Sequence, residues 1–128
     1  MKHLKRLNES IDHDELIDFC EQNLTSLFED YGYKLVLNEI WRPNGPSGYE
    51  IVIFNFYNGL DWDKFKLDYI PFLELLLLRY KPFESMRYNH FMVKVNNQDI
   101  KADDITSDNF TPNNDKIKRI SLSISNTI

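Results

Sequence analysis

From Asp12 onward, apolar side chains recur three and four positions apart: Leu16, Ile17, Cys20, Leu24, Leu27, Phe28 and Tyr31. That spacing gathers them along one side of an α-helix. Asp12 followed by Glu15 has the form of a capping box, in which one carboxylate accepts from an unpaired helix N–H and the other reaches back. Early acids also suit the partial positive charge of a helix N-terminus. Gly32 stands where a left-handed residue closes a helix. The pattern predicts one helix over about Asp14 to Asp30.

The period then changes to two. Over Tyr33 to Arg42, Tyr33, Leu35, Leu37 and Trp41 alternate with Lys34, Val36, Asn38 and Ile40, as in a strand. The run 43–48 is dense in turn formers. Tyr49 to Tyr57 follows as a second strand, with Tyr49, Ile51, Ile53 and Tyr57 on one side and Val52, Phe54 and Phe56 on the other. The two strands read as an antiparallel hairpin. The second is apolar on both sides, whereas a sheet covered by helices on one side shows polar residues on its other. An additional body is therefore expected over one of its faces.

Asp61 is placed to cap a second helix carrying Trp62, Phe65, Tyr69, Leu73, Leu76, Leu77 and Tyr80. Pro71 inside it predicts a kink or a two-part helix. Leu73 and Leu75 to Leu78 wrap most of its circumference, which predicts a central helix touching more than one layer. A third strand is expected over Tyr88 to Val95. Residues 96–115 then form a polar stretch longer than an ordinary connection, read as a mobile loop with a small element near Ile100 to Ile105. Lys116 to Ser125 alternates, with Ile120, Leu122 and Ile124 inward and Arg119, Ser121, Ser123 and Ser125 outward, as in an edge or outer strand. The order α-β-β-α-β-β implies a single α+β domain over 1–128, a two-layer sandwich of two helices on a mostly antiparallel sheet, with residues 1–10 as a basic lead.

Composition narrows the class. The 128 residues are 42% hydrophobic and 27% charged, too apolar for intrinsic disorder. One cysteine, Cys20, allows no internal disulfide and no multi-cysteine zinc site. No apolar run approaches the ~20 residues of a membrane span. Lys2, Lys5 and Arg6 are not followed by the apolar stretch of a secretory signal, so the expected location is cytoplasm or particle, not an exported compartment. The net charge of −5 falls entirely in residues 1–60, and Leu7 to Tyr33 carries eight acids without one Lys or Arg. Such a surface repels phosphates, so direct nucleic-acid binding through this half is not expected, nor is a membrane partner.

Catalytic patterns are sparse. His3, His13 and His90 are scattered, and Cys20 lies on the apolar helix side, where a thiol packs as a small hydrophobe. Asn44-Gly45-Pro46-Ser47-Gly48 precedes a strand, not the helix N-terminus that cradles phosphate. The acids Asp99, Asp103, Asp104, Asp108 and Asp115 lack the offsets and glycine of a calcium loop. Asp61, Asp63 and Asp68 offer a carboxylate group with no partner base or nucleophile placed by sequence. A divergent nuclease would need Glu39, Glu50, Asp61 and Asp63 to converge. No cofactor, metal or catalytic residue is implied.

The aromatic content, 14%, points to contact surfaces, where Tyr and Trp are enriched. Trp41 and Arg42 at the hairpin end, with Tyr49 opposite, form either an anchor for a partner or a cross-strand clamp. With Val52, Phe54 and Phe56 they make the candidate binding surface for a protein partner or a second copy. The acidic helix side, Asp14, Glu15, Asp18 and Glu21, is the alternative: an inhibitor's mimic of nucleic acid directed at a basic host surface, or simply a solvated face.

The opening residues Met1 to Ile11, MKHLKRLNESI, resemble those of many small uncharacterised proteins of large tailed phages, including phages of Bacteroidota. In T-even-like phages, head proteins carry leaders cut after a Leu/Ile-x-Glu pattern, and Leu7-Asn8-Glu9 is similar to it. Leu37-Asn38-Glu39 matches as well, inside an expected strand. The resemblance implies a virion-associated or accessory protein, non-enzymatic and acting by protein–protein binding. The alternatives are the host-directed inhibitor and a small nuclease-like enzyme.

Overall fold

The computed structural model describes residues 11–41, 43, 48–83, 90–112 and 116–125. The expected basic lead, Arg42 and most of the 43–48 turn lie outside them. Asp12 opens the first helix as its sequence requires, its carboxylate accepting from the Asp14 and Glu15 N–H groups. The single expected helix is broken in two: α1 (His13–Asn23) and α2 (Thr25–Glu29) meet at Leu24, which leaves helical geometry. The cause is local. Asn23 Nδ2 donates to the Phe19 carbonyl and Thr25 Oγ1 to that of Glu21, so side chains take up acceptors near the end of α1. Gly32 has the left-handed φ of +73°.

The hairpin β1 (Lys34–Ile40) and β2 (Gly48–Phe54) follows in antiparallel register, Val36 opposite Val52. After the short β3 (Leu60–Asp61) comes α3 (Trp62–Arg79), one continuous helix through Pro71. Pro71 and the residue it deprives of a partner, Leu67, are both exposed, so water can serve the orphaned carbonyl and no second segment forms. Asp61 occupies the cap position without a side-chain capping bond; its carboxylate pairs with Lys116 at 2.9 Å instead.

The polar stretch is not a mobile loop over its described part. β4 (Met92–Val95) turns at Asn96 into β5 (Gln98–Lys101), and α4 (Ala102–Thr106) follows, burying Ala102 and Ile105. Asn96 holds this turn at φ +53°. Its Oδ1 accepts from Lys118 and Arg119 N–H, and its Nδ2 donates to the Lys116 carbonyl. β6 (Lys116–Ile117) pairs with β3, and β7 (Arg119–Ser125) completes the sheet.

The sheet runs β1-β2-β7-β4-β5 with every neighbouring pair antiparallel, an α+β sandwich. β7 is its middle strand rather than an outer one. Serine misled the reading because it is small: Ser121 lies directly between Val52 and Lys94 and is buried. Helices cover one face, where Leu16, Phe19, Cys20, Phe65, Tyr69 and Leu76 pack on Ile51, Ile53, Val93, Ile120 and Leu122. α3 touches the other helices, the β3–β6 pair and the main sheet, but its outward side, with Leu75 and Leu78, is exposed.

Two fixings hold the ends of the sheet. Tyr33 donates its hydroxyl to the Ile117 carbonyl and accepts the Leu60 N–H, tying the start of β1 to the β3–β6 pair. At the other end, residues 81–83 bond β7 through Ser125 N–H to Lys81 O and Phe83 N–H to Ser123 O. A Cβ on Gly48 would sit 2.0 Å from the Ile124 carbonyl oxygen, so the close approach of β2 to β7 requires glycine there.

Candidate interaction surface

The sheet face away from the helices is built in rows by the strand register. Lys34, Phe54 and Arg119 form one row; Val36, Val52, Ser121 and Lys94 the next; Asn38, Glu50 and Ser123 a third. Val52, between Val36 and Ser121, is only 4% exposed, and Ser121 and Ser125 on the same face are buried too. Phe54 is half-buried, its ring centroid 4.8 Å from that of Phe56, and Phe56 is 70% exposed.

Asn55 fixes how Phe56 is displayed. Its Oδ1 accepts from the Tyr57 and Asn58 N–H groups and its Nδ2 donates to the Tyr31 carbonyl. The backbone N–H of Asn55 bonds Lys118 O. The aromatic pair therefore sits on a turn anchored to two other segments. Lys34 and Arg119 flank Phe54 directly, and the face as a whole carries Lys34, Lys94, Lys101 and Arg119 against Glu50 and Asp99. The acids Asp14, Glu15, Asp18 and Glu21 are exposed on α1, in the opposite layer. Charge is segregated by layer as well as by position along the chain.

Of the residues singled out by sequence, Trp41 stands 76% exposed just beyond β1. Tyr49 lies opposite Glu39, not Trp41, and turns under the helices with its ring 5.7 Å from that of His13. The Trp41–Tyr49 clamp does not form, and Tyr49 is buried rather than displayed. Burial, then Glu39 and Asp12, push its phenol pKa upward.

Glu39 and Glu50 fall on opposite sides of the sheet, because one is opposite Tyr49 and the other opposite Asn38. Asp61 and Asp63 sit at the start of α3, beside a cleft of about 570 Å³ lined by Trp62, Lys66, Asp108, Phe110 and Lys116. Their charges are already matched: Lys66 lies 3.0 Å from Asp108 and 3.7 Å from Asp63. The hydrogen bond from Lys116 holds the Asp61 carboxyl below its usual range, and that to Asp108 raises Lys66. Among the described residues, the buried Trp62 Nε1 has no hydrogen-bond partner. Burial pushes the Cys20 thiol to about 12, far from a nucleophile's range. Among the described residues, no three His, Cys, Asp or Glu gather as metal ligands, and no helix is long and apolar enough to cross a membrane.

Sequence reasoning missed two exposed features. One is the outward side of α3 with Leu67, Leu75 and Leu78; the other is Tyr57, beside Phe56. The signal for the second was present, since Phe54, Phe56 and Tyr57 run into the turn formers Asn58-Gly59. A groove of about 480 Å³ also opens between α1 and β1, lined by His13, Ile17, Glu21, Phe28, Leu35 and Leu37. No family model, curated protein or solved structure matches this chain.

Proposed function

We propose that this chain is a non-enzymatic binding protein that acts through its helix-free sheet face. The observation that carries the reading is the Phe54–Phe56 pair: an aromatic side chain held out by a turn, with Lys34 and Arg119 flanking Phe54. A buried aromatic ringed by polar groups is the usual form of an interface anchor. The partner it suits is a protein surface with an apolar recess and acidic margins. The likeness of the opening residues to tailed-phage proteins makes a phage particle, or a host protein met during infection, the setting of this accessory or structural role.

Affinity capture tests it, with the wild-type chain, a Phe56→Asp chain and a chain with Asp14, Glu15, Asp18 and Glu21 changed to Lys as baits. A partner lost by Phe56→Asp and retained by the helix reversal supports the sheet face. A partner lost only on reversal shows that α1 is the docking element, as the inhibitor reading requires. The same proteins on all three baits would sink both.

A further inference from the structure

The two edges of the sheet are built differently. β5 is four residues long, with Asp99 and Lys101 on it and α4 directly behind. Short, charged edges of this kind resist pairing with another chain. β1 at the other edge is seven residues long with Leu35, Val36 and Leu37 at its middle. Among the described residues, nothing hydrogen-bonds its outer side. Nor is its middle well covered. Val36 is 38% exposed, and Leu35 and Leu37 are only half-buried on the floor of the groove beneath Ile17 and Phe28.

We infer that β1 pairs antiparallel with β1 of a second copy about a two-fold axis at Val36, joining two five-stranded sheets into one. The sequence KLVLN is symmetric in character about that residue. An antiparallel pair keeps each chain's faces aligned when opposed residues have the same parity. Centring on Val36 satisfies this and sets Val36 against Val36, Leu35 against Leu37 and Lys34 against Asn38. The leucines of both chains then lie along the groove floor. Charge is complementary too. Asn38 Nδ2 donates to Glu50 Oε1 at 3.0 Å, drawing that carboxylate toward the edge. The Lys34 arriving opposite Asn38 is two strand spacings from Glu50 at the backbone, about 10 Å, a gap the two long side chains can close. Lys34 never faces Lys34, and Glu39 never faces Glu39. The inference deepens the binding reading, but it stands on the edge strand rather than on Phe54 and Phe56.

Sedimentation velocity over a concentration series of the intact chain is the test. The wild type is expected to double its mass with concentration. Val36→Lys, which brings two ammonium groups together on the axis, should remain monomeric throughout. Lys34→Glu weakens the dimer about tenfold, and adding Glu50→Lys restores it. Because that pair is exposed, its rescue reads register independently of folding. A wild type that stays monomeric overturns the inference, as does a dimer that survives Val36→Lys, or one dissociated by Leu78→Glu instead. A monomer that still loses its captured partner on Phe56→Asp removes self-pairing and leaves the sheet-face reading standing.

Discussion

Tyr33 shows how one side chain sets the relation between layers. Its hydroxyl serves a buried carbonyl and an N–H from two other segments, and burial raises its pKa despite the Leu60 hydrogen bond. Tyr33→Phe keeps the ring's contact with Phe65 but strands both groups. It should cost about 1–3 kcal/mol in chemical denaturation, against almost nothing for Tyr57→Phe at the surface. Asn55 and Asn96 do comparable work at turns, each through three side-chain hydrogen bonds. None of these roles was legible beforehand. Each depends on backbone groups brought close from far along the chain, and a sequence pattern records which residues face inward, not which carbonyls they meet.

Elements were read well where a period governed them and poorly where it did not. Leu16 and Cys20, Ile51 and Ile53, and Ile120, Leu122 and Ile124 are buried as their spacing requires. The break at Leu24 escaped the same reading because the apolar side continues through it, and only the side-chain bonds of Asn23 and Thr25 mark the end of α1. The small element expected near Ile100 to Ile105 is there as two, β5 and α4; the apolar residues Ile100, Ile105 and Phe110 are too sparse to show a period that tells strand from helix.

Between elements, exposed ion pairs tie β3 to β6 and α3 to the segment after α4. Asp61 has a lowered pKa in the fold, so its contribution is full above the unfolded value of about 3.9 and is lost as pH falls below it. Lys66 has a raised one, so its contribution holds below about 10.4 and is lost as pH rises through the folded value. Asp61→Asn should therefore lower the melting temperature at neutral pH, with the gap to wild type closing below about pH 4. A gap that persisted in acid would show that Lys116 holds the carboxamide equally well.

At the scale of the whole molecule, the expectation that a second body covers β2 resolves into something narrower. Val52 is already buried within the chain itself, and the exposed apolar surface moves outward to Phe56 and to Val36 on the edge strand. The acids stand on the helical layer while the sheet face carries the excess of Lys and Arg, so the chain's overall −5 does not describe the surface proposed to bind. Hydroxyl-radical footprinting measures that surface directly, comparing the purified chain with the chain in an extract of the cells that make it. Phe56 and Tyr57 should label strongly in isolation and become protected in the extract, with Leu67 labelled equally in both. Equal labelling of Phe56 in the two samples would contradict a binding role for the helix-free face.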